Sequence, residues 1–182
     1  MVSNNTVLHA VFGGIYLVSG ARSNVITWNR VQSNSVAVYM SGVTNNLVTN
    51  NAWIRQNSQY GVFMSGNSAS NRIVGNTVNS NGGAGGAGIY LNGANVDMNR
   101  VVSNTIYTRT TGDFGINITG GDQNIITNNA VMHATFGGIF LTAGARSNLI
   151  TWNRVQSNTV GVYLNGVTNN LVTNNAWIRQ NS

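Results

Sequence analysis

An all-β, right-handed, three-sided parallel β-helix (a solenoid) of about 7.5 coils is the fold this sequence predicts, and three observations predict it. The chain copies itself: Asn4–Ser58 and Asn128–Ser182 are nearly the same 55-residue text, offset by 124 positions, and ARSN, ITWNRVQSN and GVTNNLVTNNAWIRQNS recur word for word. A shorter phrase, Gly/Ala then Ile/Val then an aromatic then Leu/Met, returns with few departures at Gly14, Ala37, Gly61, Gly88, Gly115, Gly138 and Gly161, which sets coils of 22–27 residues. The first five intervals make up the 124, so residues 1–182 read as a single domain with a five-coil super-repeat. Third, asparagine recurs at the same period in unbroken columns. Handedness follows from the general rule for parallel crossovers.

Each element of a coil follows in order from Gly14. Ile15-Tyr16-Leu17 alternates in, out, in, the period of a strand. Gly20 opens a turn. Asn24 to Thr27 is a second short strand with Ile26 inward, Asn29 turns the chain again, and Val31 begins a third strand. Ser33-Asn34 leads into the next coil. Three strands and three turns in about 23 residues leave no room for a helix.

The columns support this register. Position 26 reads Ile26, Val48, Ile73, Val101, Ile126, Ile150, Val172, always β-branched. Positions 15 and 17 are likewise apolar in every coil, whereas the position beside 26 accepts Arg72 and Arg100 and so faces out. One asparagine column is Asn24, Asn46, Asn71, Asn99, Asn124, Asn148, Asn170; the other runs Asn5, Asn29, Asn51, Asn76, Asn104, Asn129, Asn153, Asn175. Asparagine tolerates left-handed backbone and bonds nearby main chain, as a repeated sharp corner requires, and stacked amides bond up a column.

Composition narrows the function. Cysteine, proline, lysine and glutamate are absent; asparagine is commonest, with 32 copies. Nine arginines against Asp97, Asp113 and Asp122 give a net charge of +6, but the arginines form no dense run, so the basic balance does not mark a nucleic-acid partner. No apolar stretch approaches the ~20 residues of a membrane span, and MVSNNTV lacks the pattern of a signal peptide.

NNLVTNNAWIRQNSQYGVFMSG and NNAVMHATFGGIFLTAG resemble the repeats of right-handed parallel β-helix proteins: the pectin-lyase-like superfamily and, more narrowly, its NosD-type repeat group. The resemblance covers essentially the whole chain. It implies the fold, and it implies little about activity, since that fold hosts lyases, hydrolases, epimerases, phage spikes and non-catalytic surface proteins. Leucine-rich repeats share asparagine ladders but need an L-x-x-L-x-L spacing that is missing here. The polygalacturonase-like Arg-Ile-Lys and epimerase-like Asp-Pro-His-Glu phrases need residue types this chain lacks, so no catalytic residue carries over. NosD-type proteins are linked to copper delivery; no His/Met/Cys cluster matches that, and no metal or cofactor is assigned.

Candidate ligand-binding residues remain. Asp97 and Asp122 each lie two residues before a ladder asparagine, so they share a column in adjacent coils about 5 Å apart, with Arg146 on the next rung. Two stacked carboxylates could share a proton or hold Ca²⁺, and the arginine could hold an acidic sugar; the alternative is an exposed charge ladder. Asp113 belongs to a different corner. Tyr16, Tyr39, Phe63, Tyr90, Asn117, Phe140 and Tyr163 form an outward column, of which Tyr39, Phe63 and Tyr90 are the central candidates. It either stabilises the sheet or offers a platform for sugar rings or a protein. Trp28 and Trp152 read as isolated corner packing. His9 and His133 are copies five coils apart, roughly 24 Å, too far to share a metal. The glycine-rich run 81–88 and the segment 107–113 lengthen adjacent coils and could line a groove.

The expected function is a non-catalytic structural rod, a segment of a repetitive surface or fibre protein or a constructed array, extracellular or at the cell surface. Its terminal coils, uncapped by any helix, are expected to self-associate end to end into filaments. The alternative is a carbohydrate-binding or carbohydrate-active β-helix, with polysaccharide as partner and a site near the mid-stack loops.

Overall fold

The computed structural model describes residues 1–83, 85–108, 113–175 and 177–179. Each complete coil contributes three strands, as in Gly13–Val18, Val25–Thr27 and Arg30–Gln32. Like strands of successive coils pair in parallel, giving a first sheet of seven strands and second and third sheets of eight. Among the described residues there is no helix. The expected register holds: Ile15 pairs with Val38, Ile26 with Val48 and Val31 with Ile54. Ile26, Val48, Ile73, Val101, Ile126 and Ile150 are all fully buried. A slip of one residue would turn each of these columns to solvent, and burial is what forbids it. The chain enters within the second sheet, Val2 opposite Ile26; the last residues expected to stop short of the first sheet, Asn181 and Ser182, lie outside the described ones.

The recurring glycine has a steric cause. Gly14 lies between the pairs Gly13–Val36 and Ile15–Val38, where the third sheet meets the first, and a Cβ on it would point inward, 2.4 Å from Val31 Cγ1. A Cβ at Gly115 would lie 2.2 Å from Val131 Cγ1, and one at Gly61 would lie 2.6 Å from Val78 Cγ1. The strand therefore approaches its neighbour at a distance only glycine permits, with Ala37 the one larger occupant.

The corners correct one expectation. The ladder asparagines do not take the left-handed conformation; the residue before each of them does. At the first corner these are Ser23, Asn45, Ser70, Met98, Gln123, Ser147 and Asn169, with φ between 54° and 57°. Trp28 and Trp152 fill the same role at the second corner, and His9 and His133 at the third. The tryptophans are 61% and 60% exposed, so they are not packed against the corner as expected. What holds the kink is the amide that follows. Asn51 Nδ2 donates to Ile26 O, Thr49 O and Asn76 Oδ1, while its own Oδ1 accepts Asn29 N–H at 2.9 Å. Every polar group of this buried side chain is thus bonded, the condition on which a buried amide stabilises rather than destabilises.

A third ladder escaped the sequence reading. Ala10 N–H donates to Asn34 Oδ1, Asn34 N–H to Asn57 Oδ1, Asn57 N–H to Asn81 Oδ1 and, further along, Ala134 N–H to Asn158 Oδ1. Its spacing was visible in the sequence, but alanines at 10 and 134 interrupt the column.

Candidate functional site

The two halves of the sequence-predicted site lie on different surfaces. Asp97, Asp122 and Arg146 do share a column at the first corner, but the carboxylates are occupied by backbone. Asp97 Oδ1 accepts Asp122 N–H at 2.8 Å, and Asp122 Oδ1 accepts Arg146 N–H at 3.1 Å. The Arg146 guanidinium closes the stack on Asp122 Oδ2 at 2.6 Å from a side chain that is 66% exposed. The pair does not converge on a shared proton; each carboxylate carries the ladder hydrogen bond of its own rung. Asp113 sits at the third corner, fully buried, its Oδ1 where a Cβ on Gly82 would come within 2.8 Å.

Tyr39, Phe63 and Tyr90 stand on the outer face of the first sheet, on successive coils as expected. Their rings are not a platform. Tyr39 stacks on Tyr16 at 4.8 Å and on Phe63 at 5.4 Å, so both of its faces are covered and only ring edges and hydroxyls reach solvent. The file is also wider than one column. Tyr60 packs beside Phe63 and Tyr90 at 5.0 and 5.3 Å, and Phe114 and Phe136 flank Phe140. These extra rings leave Phe63, Tyr90 and Phe140 half-buried. Asn117, the break in the column, is 8% exposed, and its Oδ1 has no hydrogen bond among the described residues. No hydrogen bond or ring contact joins the aromatic file to the acid column among the described residues.

Tyr60 matters because it also turns the edge of the file into the third corner. There, with Ser58, Gln59, Gly83, Gly85 and Gly86, it lines a depression of about 320 Å³. Ser58 also borders a second, open depression of about 410 Å³ that runs along the same corner past Gln56, Ser35, Ser33 and His9. The glycine-rich loop therefore does line a groove at mid-stack. Residues 109–112 of the neighbouring long loop lie outside the described ones. Burial, and then the neighbouring Tyr90, raise the Tyr60 hydroxyl above the ordinary tyrosine value. The groove is lined by hydroxyls, carboxamides, the His9 imidazole and one aromatic edge, with Ala10 and Val11 at its first-coil end.

Fold and surface together define a solenoid of the parallel β-helix repeat class, with a polar groove along one corner. Matches to the family model described as "Periplasmic copper-binding protein (NosD)" cover residues 1–108 and 55–182, and the chain belongs to that family. No curated protein matches the sequence. The crystal structure of the periplasmic alginate epimerase AlgG superposes with a TM-score of 0.78 at 15% identity, over 93% of this chain and 43% of that one. The A-module of the Azotobacter vinelandii mannuronan C-5 epimerase AlgE4 superposes with a TM-score of 0.70 at 13% identity, over 94% of this chain and 54% of that one. The chain thus spans about half the length of these solved structures.

The residues present do not fit a copper site. Among the described residues no three His, Cys, Asp or Glu come together. His133 stacks on Tyr107 at 4.7 Å, and its copy His9 is five coils away. Met40 and Met64 are fully buried, the Met64 sulfur accepting from Asn71 Nδ2. Among the described residues no helix is long and apolar enough to cross a membrane.

Proposed function

We propose that this chain is a carbohydrate-binding β-helix that holds a glycan strand along its third corner and does not transform it. The observation that carries the reading is the pair of adjoining depressions sharing Ser58, rich in hydroxyls and carboxamides and bordered by Tyr60. Hydroxyl and carboxamide groups beside an aromatic edge are the means by which proteins bind sugars, and among the described lining residues no carboxylate stands with the His9 imidazole to make an acid–base pair. The solved neighbours support the choice of ligand, since both are by title epimerases, one of alginate and one of mannuronan. Their names, and that of the family, favour a place outside the cytoplasm, in the periplasm or beyond it.

Titration of soluble oligosaccharides by calorimetry tests this. Saturable binding that is weakened about tenfold by Tyr60→Ala, with the glycan recovered unchanged, is the expected result. Absence of binding to every glycan, or turnover abolished in an Asp122→Ala variant, overturns it. A second reading concerns assembly. Val11 and Phe12 on the first coil are 81% and 77% exposed, and we propose that a coil of another copy stacks over them. Sedimentation velocity would show concentration-dependent oligomers; a single monomeric species over a wide concentration range rules the stacking out.

A further inference from the structure

The outer face of the third sheet carries an arrangement of positive charge that the linear sequence conceals. Arg30 pairs in register with Trp53, and Gln32 with Arg55, one coil above. The Trp53 ring lies beneath both guanidiniums, with Arg55 Cζ 4.2 Å and Arg30 Cζ 5.1 Å from its centroid. Both arginines also donate through Nε to one acceptor, Gln32 Oε1, at 3.0 and 3.1 Å. Two like charges 25 residues apart are thereby drawn to a single oxygen. The indole and the carboxamide hold them in place, and their Nη groups make no hydrogen bond among the described residues.

Among the described residues no ion pair joins Arg30 or Arg55 to an acid. Of the chain's three acids, Asp97 and Asp122 bond the first-corner backbone and Arg146, and Asp113 is buried at the third corner beside Gly82. Trp53 and Arg55, with Ala52, Thr77 and Asn79, line a depression of about 170 Å³ alongside. The backbone placement of these residue types recurs in the repeat. Arg154 Nε donates to Gln156 Oε1 at 2.9 Å, and the backbone register sets Arg154 opposite Trp177 and Gln156 opposite Arg179. Five coils, about 24 Å, separate the copies. The same columns between them hold Thr77, Asn79, Thr105, Tyr107, Ala130 and Met132, none of them charged near neutral pH.

We infer that this face is an anion-binding track, and that the glycan it binds is acidic, its carboxylate or sulfate groups seated on the paired guanidiniums. The inference rests on the carbohydrate-binding reading and adds the charge of the ligand and the place where that charge is held. A guanidinium whose Nε is already bonded still offers Nη donors to an oxyanion, and two of them on one rigid sheet converge on the same group without first having to be ordered.

The test is a binding panel with the whole chain: a polyuronate, a sulfated glycan, a neutral glucan and duplex DNA, each at low and moderate salt. The triple variant Arg30→Gln/Arg55→Gln/Arg154→Gln removes the paired guanidiniums and the arginine that occupies the equivalent of position 30 in the repeat. The control Arg22→Gln/Arg72→Gln/Arg100→Gln removes the same charge from exposed positions elsewhere. All six side chains point outward, and circular dichroism verifies folding. We expect at least one acidic glycan to bind about tenfold more tightly than the glucan, with affinity falling as salt rises. The first variant should weaken that binding about tenfold and the control less than about threefold, since Arg22 and the neighbouring Arg72 and Arg100 of the second sheet are held by no indole or carboxamide among the described residues. Preference for polyuronate or for sulfated glycan identifies the acidic group. Equal losses in the two variants, equal affinity for the neutral glucan, or DNA bound as tightly as the acidic glycan overturns the anion track. Equal affinity for the glucan would leave the carbohydrate reading standing; failure of all glycans sinks both.

Discussion

At the scale of the residue, neighbours in the chain carry opposite burdens. Trp28 bears the left-handed backbone, and Asn29 bears the hydrogen bonds that hold it there. Asn29 Oδ1 accepts from Asn5, and its Nδ2 donates to Val2 O, Thr27 O and Asn51 Oδ1. We therefore expect Asn29→Ala to cost at least about 2 kcal/mol, because one buried N–H and two carbonyls lose their partner at once. Trp28→Gly should stay within about 1 kcal/mol of neutral, since relief of left-handed strain offsets the added freedom of the unfolded chain. Chemical denaturation of both variants checks the contrast. Tyr60 supplies a pH dependence. The folded chain holds its proton more tightly than the unfolded chain does. The stability this confers is complete below the ordinary tyrosine value of about 10 and is lost as the pH rises through the higher folded value. Melting temperature should therefore fall above that pH in the wild type, and less steeply in Tyr60→Phe.

At the scale of the element, the inward-facing glycine at the end of the third corner is the tightest feature of a coil. Gly115→Ala should cost about 1–3 kcal/mol, because Val131 and the backbone of Gly138 must both give way. Ala37→Gly should cost less, about 1 kcal/mol or under, the backbone there already accepting a methyl group. Thermal melts of the two variants separate steric from entropic effects. The columns that build these elements were legible in the sequence because a strand buried on one side repeats its chemistry at every coil: Ile26 and its successors, Asn24 and its successors. The site was legible only in part. The period shows that Tyr39 and Phe63 are vertical neighbours, yet it does not say how the rings tilt, and stacking removes the faces on which a sugar would lie. Likewise, linear text shows Arg30 and Arg55 as dispersed charges, whereas a coil of 23 residues places Arg55 directly above Gln32. The proposed site lies between coils, in pairs that sequence distance hides.

At the scale of the whole molecule, most contacts join a coil only to the one before and the one after, so cooperativity must be transmitted rung by rung. Two ladders, a third in segments and a continuous core run through the stack, and we propose that residues 1–182 unfold as one unit. A single sigmoidal transition, with circular dichroism and tyrosine–tryptophan fluorescence coincident, is the expected result. Two resolved transitions would show that the longer loops near residues 83 and 95 divide the stack into independent halves.

The ladders also give the rod an electrical sense of direction. In each of them the backbone N–H of one coil donates to the asparagine Oδ1 of the next, so these bonds all point the same way along the axis. An incoming coil finds oxygens to satisfy at one face and amide hydrogens at the other. It can join only in the orientation of the coils already there. The aspartates run against this current: Asp122 N–H donates back to Asp97, so at that corner two opposed hydrogen-bond chains pass side by side. Growth on such a template is vectorial, and two rods meeting like face to like face would confront acceptor with acceptor, or donor with donor.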